Sequence, residues 1–484
     1  MKKLVLLLLV LIFVAYFLIF RVSSFFVDNQ YYPPVKFEGV SVDTPAAANR
    51  LSQAIQIQTI SRDEQSADND SFLQFHQFLA QNFPLVHQNS KLETINQHSL
   101  IFEITGTDTS LKPILLMGHM DVVPVDEATL KQWQHPPFSG AIADQQIWGR
   151  GAIDDKSTVL AIMEAMEMHL AKGKRLKRSV YFAFGHDEEI GGENGAKAAA
   201  AYFKNRNITF DFVLDEGGVI VDGILAGFEQ PIALVGVAEK GFVNIRLTVK
   251  GEGGHSSMPP QNTAAGILAQ AIVKLEYNPF PANLKFTNLI FDAVGFSADF
   301  TTRALMSNQW MLSPIIESVL LKSPSSAASM RTTTAVTMLQ GSSKSNILPT
   351  EASAVANFRI MPGETWQSVL SRVESVIDDP RVSLEAFMQS NPSPISDHNT
   401  PQFATIEKTI REISPDALVA PYLVQGGTDA KYFYDLSDNV YRFLMIRMTP
   451  DTLNTFHGLN ERIAIEDYSK TIQFFHRLME RSVF

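Results

Sequence analysis

The sequence predicts an α/β fold: a mainly parallel sheet flanked by helices, a ferredoxin-like α+β domain inserted into it, and an N-terminal transmembrane helix. Three observations carry that reading. Apolar runs rich in β-branched and aromatic residues alternate with helical patterns, as in a parallel sheet covered on both faces. From about residue 238 the pattern changes to the alternation of half-buried antiparallel strands. Finally, Leu4 to Phe20 is an unbroken apolar run. At 484 residues the chain is also too long for one ordinary core, so two domains are expected.

The apolar run, residues 4–20, follows "MKK" and would reach about 25 Å as a helix, the lower limit for a bilayer span. The next residues, "RVSSFFVDNQ", contain no convincing small-x-small cleavage site, which favours an uncleaved anchor over a removed signal peptide. Lys2 and Lys3 place the N-terminus in the cytoplasm and the bulk of the chain on the outer, extracytoplasmic side.

The first part of the main domain is expected over 36–237. Its apolar strands end alike: "KPILLMG" on His119 and Asp121, "RSVYFAFG" on "HDEEIGG", and "FDFVL" on "DEGG". Farther on, "VYRFLMIRM" leads through a loop to "FHGLNERI". A histidine or an acidic turn at one strand end is unremarkable. Several together lie where open α/β sheets bind ligands, beyond the carboxyl ends of the strands. His119, Asp121, Glu188, Glu189, Asp215 and His457 form that set. Asp154 and Asp155, in "GRGAIDDKS", directly precede a helical pattern, where acidic residues also serve as caps.

The second domain is expected over 238–390, as β-α-β-β-α-β. "FVNIRLTVKG" alternates, "TAAGILAQAIVKLEY" is helical, and two strands about a turn, a helix and a last strand follow. Residues 279–330 exceed that minimum and are dense in Phe, Leu, Ile and Met; they read as extra helices or as an apolar wall for a hydrophobic substrate. Residues 391–484 return to the main domain.

With no cysteine, disulfides, thiolate zinc sites and cysteine nucleophiles are excluded. A net charge of −11 without a dense basic tract argues against a nucleic-acid partner. Two histidines and several carboxylates instead suit zinc or a similar divalent ion with an open position. A carboxylate shared by two ions uses so few ligands economically. Asp121 can orient His119 through its second ring nitrogen. In the Glu188–Glu189 pair, one carboxylate can bind metal while the other takes a proton from the attacking water.

In family order, "GHMDVVP", "WGRGAIDDKS", "HDEEIGG", "DEGG", "GGHSSMPP" and "FHGLNERI" resemble the dizinc hydrolases that include carboxypeptidase S, glutamate carboxypeptidase, aminoacylase and succinyl-diaminopimelate desuccinylase. The resemblance runs from about residue 40 to the C-terminus. It implies two zinc ions, with cobalt or manganese as alternatives. His119 and Asp215 would hold one ion, Glu189 and His457 the other, and Asp154 would bridge. Glu216, adjacent to Asp215, is the alternative at that place. Glu188 would be the general base and Asp121 would support His119. The inserted domain would be a lid, in many members a dimerisation module, so a homodimer is implied.

By the same resemblance His255 would donate to the oxyanion. Asn346 and Arg359 would grip substrate, Arg359 through a carboxylate, and the loop at Gly426 and Gly427 would bring backbone N–H groups to the site. The expected activity is hydrolysis of an amide next to an amino acid with a free carboxylate. The expected substrate is a small peptide, as for carboxypeptidase S, with an N-acyl amino acid as the alternative, the 279–330 insertion being comparable to that of carboxypeptidase S and the N-fatty-acyl-amino-acid hydrolases. A silent relative acting as a binding or scaffold protein is the alternative of another class.

Overall fold

The computed structural model describes residues 2–24, 37, 39–62 and 69–484. The expected domain start at residue 36 and most of the stretch after Ser24 lie outside them.

The main sheet has ten strands. Along its path run Lys91–Ile95, Ser99–Ile104, Val180–Gly185, Ile114–His119, Val213–Asp215, Val440–Arg442, Ile232–Glu239, Ile220–Val221 and Arg447–Met448, with Leu418–Val424 pairing Ile232–Glu239 off the path. The centre is parallel, from Val180–Gly185 through Ile114–His119 and Val213–Asp215 to Val440–Arg442. Both flanks carry antiparallel pairs. The sheet is therefore mixed, which corrects the expectation of a mainly parallel one. The reason is that strand direction is set by distant pairing, and local hydrophobic pattern does not encode it.

The central strands are buried on both faces. Leu116 and Ile114 pack with Val159 and Ile162 of the helix Lys156–Ala171. Leu115 and Met117 face the other way, onto Phe203 and Phe433. Ile114–His119 is buried throughout, so its end is a fixed platform for His119.

The inserted sheet orders Thr333–Gln340, Glu351–Ile360, Gly241–Lys250 and Val382–Ser390, all antiparallel. Val243, Ile245, Leu247 and Val249 alternate inward and share a core with the helices Ala264–Tyr277 and Trp366–Ile377. Between its first helix and the next strand lie helices Lys285–Val294, Phe300–Ser307, Gln309–Leu320 and Pro324–Met330. They hold a small core of their own around Phe291, Met306, Ile316 and Met330.

The transmembrane anchor is corrected as well, and with it the membrane partner and the single-pass placement. A helix covers Lys2–Ser24, but among the described residues no helix is long and apolar enough to cross a membrane. The apolar run stops short of the ~20 residues that a ~30 Å hydrocarbon core demands. The helix instead packs beside Phe300–Ser307 of the insertion.

Candidate metal centre

His119 and Asp215 end strands, Glu188 and Glu189 stand in the turn after Val180–Gly185, and Asp154 and His457 come from loops. Gly118 gives the room: a Cβ there would lie 2.8 Å from Asp155 Oδ2, which accepts the His119 N–H at 3.2 Å. Asp155 occupies the N-cap position of Lys156–Ala171 without a side-chain cap bond, so its carboxylate serves this strand end and not the helix. His119 Nδ1 lies 3.0 Å from the Asp121 carbonyl and 3.3 Å from its carboxylate. That leaves Nε2 facing inward, 2.9 Å from Asp154 Oδ1. Asp121 also accepts the N–H groups of Glu188 and Glu189, each at 3.2 Å, and so orients two elements of the site at once.

Asp154 uses both oxygens. Oδ1 meets His119, and Oδ2 meets His457 Nε2 at 2.6 Å. His457 Nε2 is also 3.3 Å from Glu189 Oε2, whose partner oxygen accepts the Val123 N–H at 3.2 Å. One ligand atom each of His119, Asp154 and Glu189 lies within 4.8 Å of the others, the one such group among the described residues.

The electrostatics fit a cation. Burial, then its neighbour Asp154, raises Glu189 to about 7. Burial, with Asp429, Glu189 and Asp154, raises Glu188 well above the usual carboxylate range. Burial opposes ionisation of Asp154, but hydrogen bonds from His119 and His457 outweigh it and hold that carboxyl well below the range. Asp154 and Glu189 raise His457 to about 10. Buried carboxylates thus draw positive charge onto imidazoles; a divalent ion supplies that charge while leaving the imidazoles neutral and free to ligate.

The remaining expected residues divide. Asp215 is buried at the end of Val213–Asp215 and gives Oδ2 to the Ala430 N–H at 2.8 Å, whereas Glu216 lines the cavity above the site. Arg359, Gly426 and Gly427 line that cavity too. His255 and Asn346 do not. They sit together at an exposed two-stranded tip, His255 Nδ1 2.8 Å from Ser257 Oγ and the Asn346 carbonyl accepting the Ser256 N–H at 3.1 Å.

The cavity encloses about 1360 Å³, above the few hundred to a thousand usual for a ligand site. Asp154, Glu188, Glu189 and His457 give it a polar wall; Val221, Phe228, Ile290, Met306, Ile316 and Leu320 give it apolar surface.

Sequence reasoning missed Arg442. Fully buried, it donates to Glu239 at 2.7 Å and to Thr428 Oγ1 at 3.1 Å, and Glu239 also accepts from Thr428. This fixes the loop after Gly426 and Gly427. A lone arginine inside the apolar "VYRFLMI" was the available signal.

Comparison with known proteins gives the family and the fold. The model of "Peptidase family M20/M25/M40" matches residues 115–481. "Probable carboxypeptidase S-like 2" of Dictyostelium discoideum is 42% identical over 441 residues, covering 90% of this chain and 85% of that protein. "N-fatty-acyl-amino acid synthase/hydrolase PM20D1" of Xenopus tropicalis is 38% identical over 439 residues, covering 89% and 85%. Among solved structures, the M20 family metallo-carboxypeptidase Sso-CP2 from Sulfolobus solfataricus superposes with a TM-score of 0.66 at 20% identity, over 91% of this chain and 99% of that one, which establishes the fold.

Proposed function

The chain belongs to the M20 peptidase family, close to its carboxypeptidase S and PM20D1 branch, and on that premise we propose that this metallohydrolase cleaves the amide of N-acyl amino acids. The observation that carries the substrate is the shared cavity. Side chains of the 279–330 insertion line the same cavity as Asp154, Glu188, Glu189 and His457, offering an acyl chain apolar surface in the cavity that holds the hydrolytic residues.

We assign two ions to the site. The support is Asp154, with one carboxylate oxygen toward each histidine, as a bridging ligand requires. In this assignment His119 and Asp215 serve one ion and Glu189 and His457 the other; metal contents of Asp215→Asn and Glu216→Gln separate the adjacent pair. Bound there, such ions would supply Lewis acidity, activating water and polarising the amide carbonyl.

Glu188 takes the proton of the attacking water, a role suited to a carboxyl whose proton affinity burial has raised, and returns it to the departing amine. Water adds to the carbonyl carbon, the C–N bond breaks, and a carboxylic acid and a free amino acid leave. Arg359, its guanidinium 5.8 Å from the Phe242 ring centroid on the cavity wall, pairs with the amino acid's carboxylate. His255 and Asn346 are given no step within one chain.

Peptide cleavage is the second reading, favoured by the 42% identity to a probable carboxypeptidase S-like protein. Assays of zinc-loaded protein on N-acyl amino acids and on dipeptides with the same C-terminal residue test the choice. Faster turnover of the acylated series is expected, and preference for dipeptides would replace the first reading by the second.

A further inference from the structure

Two ligands of the site, Asp154 and His457, come from loops 303 residues apart, and His457 has a backbone φ of 55° and a half-exposed ring. Something must hold those loops in register. Four residues before Asp154 stands Arg150; four after His457 stands Glu461. Both are buried, Glu461 completely.

Glu461 Oε1 accepts three N–H groups from the loop leading to the aspartate: Gly151 and Ile153 at 2.9 Å and Asp154 itself at 3.3 Å. Its other oxygen accepts Arg150 Nη1 at 2.5 Å. Arg150 Nη2 then reaches the opposite loop, donating to the carbonyls of His457 at 3.1 Å and Gly458 at 3.3 Å. The Gly149 N–H donates back to the Glu461 carbonyl at 2.9 Å. One ion pair thus grips the backbone of both ligand loops. Three N–H groups converging on one oxygen form an anion nest, which fixes the loop dihedrals as well as the distance.

We propose that Arg150 and Glu461 are a positioning pair that sets the spacing of Asp154 and His457, and thereby the metal affinity and catalytic rate of the site. Neither side chain is a ligand or touches substrate. The pair acts through the backbone amide of Asp154 and the backbone carbonyl of His457. Groups that support ligands in this way typically change metal affinity by about 10–100-fold when altered.

The proposal rests on the metal site described above, and competition between the full-length protein and a chelator, with Zn²⁺ as probe, separates the two claims. Wild type that binds no zinc would overturn the metal site and the pair together. With wild type binding, Glu461→Gln and Arg150→Lys are each expected to weaken zinc binding about 10–100-fold. At saturating zinc kcat falls while KM is held, because the substrate walls are untouched. Arg150→Lys keeps the buried charge and loses only the fork that spans both loops, so it carries the test if Glu461→Gln does not fold. The thermal midpoint of the metal-free protein is measured alongside. A lowered midpoint with zinc affinity equal to wild type would reduce the pair to a fold-stabilising contact and overturn the proposal.

Discussion

The two walls of the cavity are built by opposite means. The polar wall consists of strand-end turns and loops tied together by hydrogen bonds, as Asp121 ties His119 to the Glu188–Glu189 turn. The apolar wall comes largely from four helices joined around a small core, with Val221 and Phe228 added from the main domain and Trp310, Ile315 and Val319 left exposed. Chemistry needs atoms held to a few tenths of an ångström. Binding an acyl chain needs apolar area, which has no preferred direction. On the proposed function the difference assigns rate and selectivity to separable parts of one cavity, which substitutions can sort.

The largest effect is expected on the polar wall. Removing the metal with a chelator should abolish turnover, and adding zinc should restore it. Glu188→Gln should keep bound metal by elemental analysis yet lose at least about 10²-fold in kcat. Full activity with normal metal content would remove Glu188 from the role of base.

Arg359 stands between the walls. Arg359→Ala should lower kcat/KM by about 2 kcal/mol on substrates with a free carboxylate, the low end for losing one partner of a charged pair. The loss should shrink on amidated substrates, and equal losses on both would end the carboxylate role.

A smaller effect is expected on the apolar wall. Leu320→Ala should raise KM for long acyl chains several-fold, the ~1–3 kcal/mol scale of pocket contacts, and leave short-chain kcat unchanged. A matching loss on short chains would mean that the two walls are coupled.

The last effect concerns stability behind the polar wall and leaves turnover untouched. His169 and His476 stack with ring centroids 3.8 Å apart between the helices Lys156–Ala171 and Ile465–Ser482. Burial lowers His169 to about 4 and His476 to about 3; Lys172 and Lys174 reinforce the shift and Glu480 opposes it. Unfolded histidines titrate near ~6.5, so below that pH the unfolded state binds more protons and stability falls as pH drops toward about 4. Melting followed from pH 7 to 4 should show that decline, and His476→Phe should flatten it. An unchanged slope would clear the pair of any part in acid lability.

The polar wall was largely legible in the sequence because Glu188 and Glu189 closely follow an apolar run, a local feature, while Asp154 and His457 lie in quoted motifs that follow or precede such patterns at short range. His119, Asp154 and Glu189 come together in the structure, with His457 against them. What stayed hidden depends on partners distant in sequence. Asp155 looked like a helix cap and instead holds the His119 amide. Arg150 and Glu461 lay inside quoted motifs, but no local pattern states that residues 311 positions apart share a hydrogen bond. The flanks of the sheet run antiparallel for the same reason. His255 followed from family likeness alone, and within one chain it lies off the cavity.

The separation of the two walls is tested most directly by kcat/KM of the zinc-loaded protein across N-acyl amino acids of increasing chain length. Each buried CH₂ contributes about 0.8 kcal/mol, so kcat/KM should climb roughly three- to four-fold per added carbon until the apolar wall is covered, then level. A flat dependence from the shortest chain onward, with dipeptides cleaved as fast, would contradict an acyl-selecting wall.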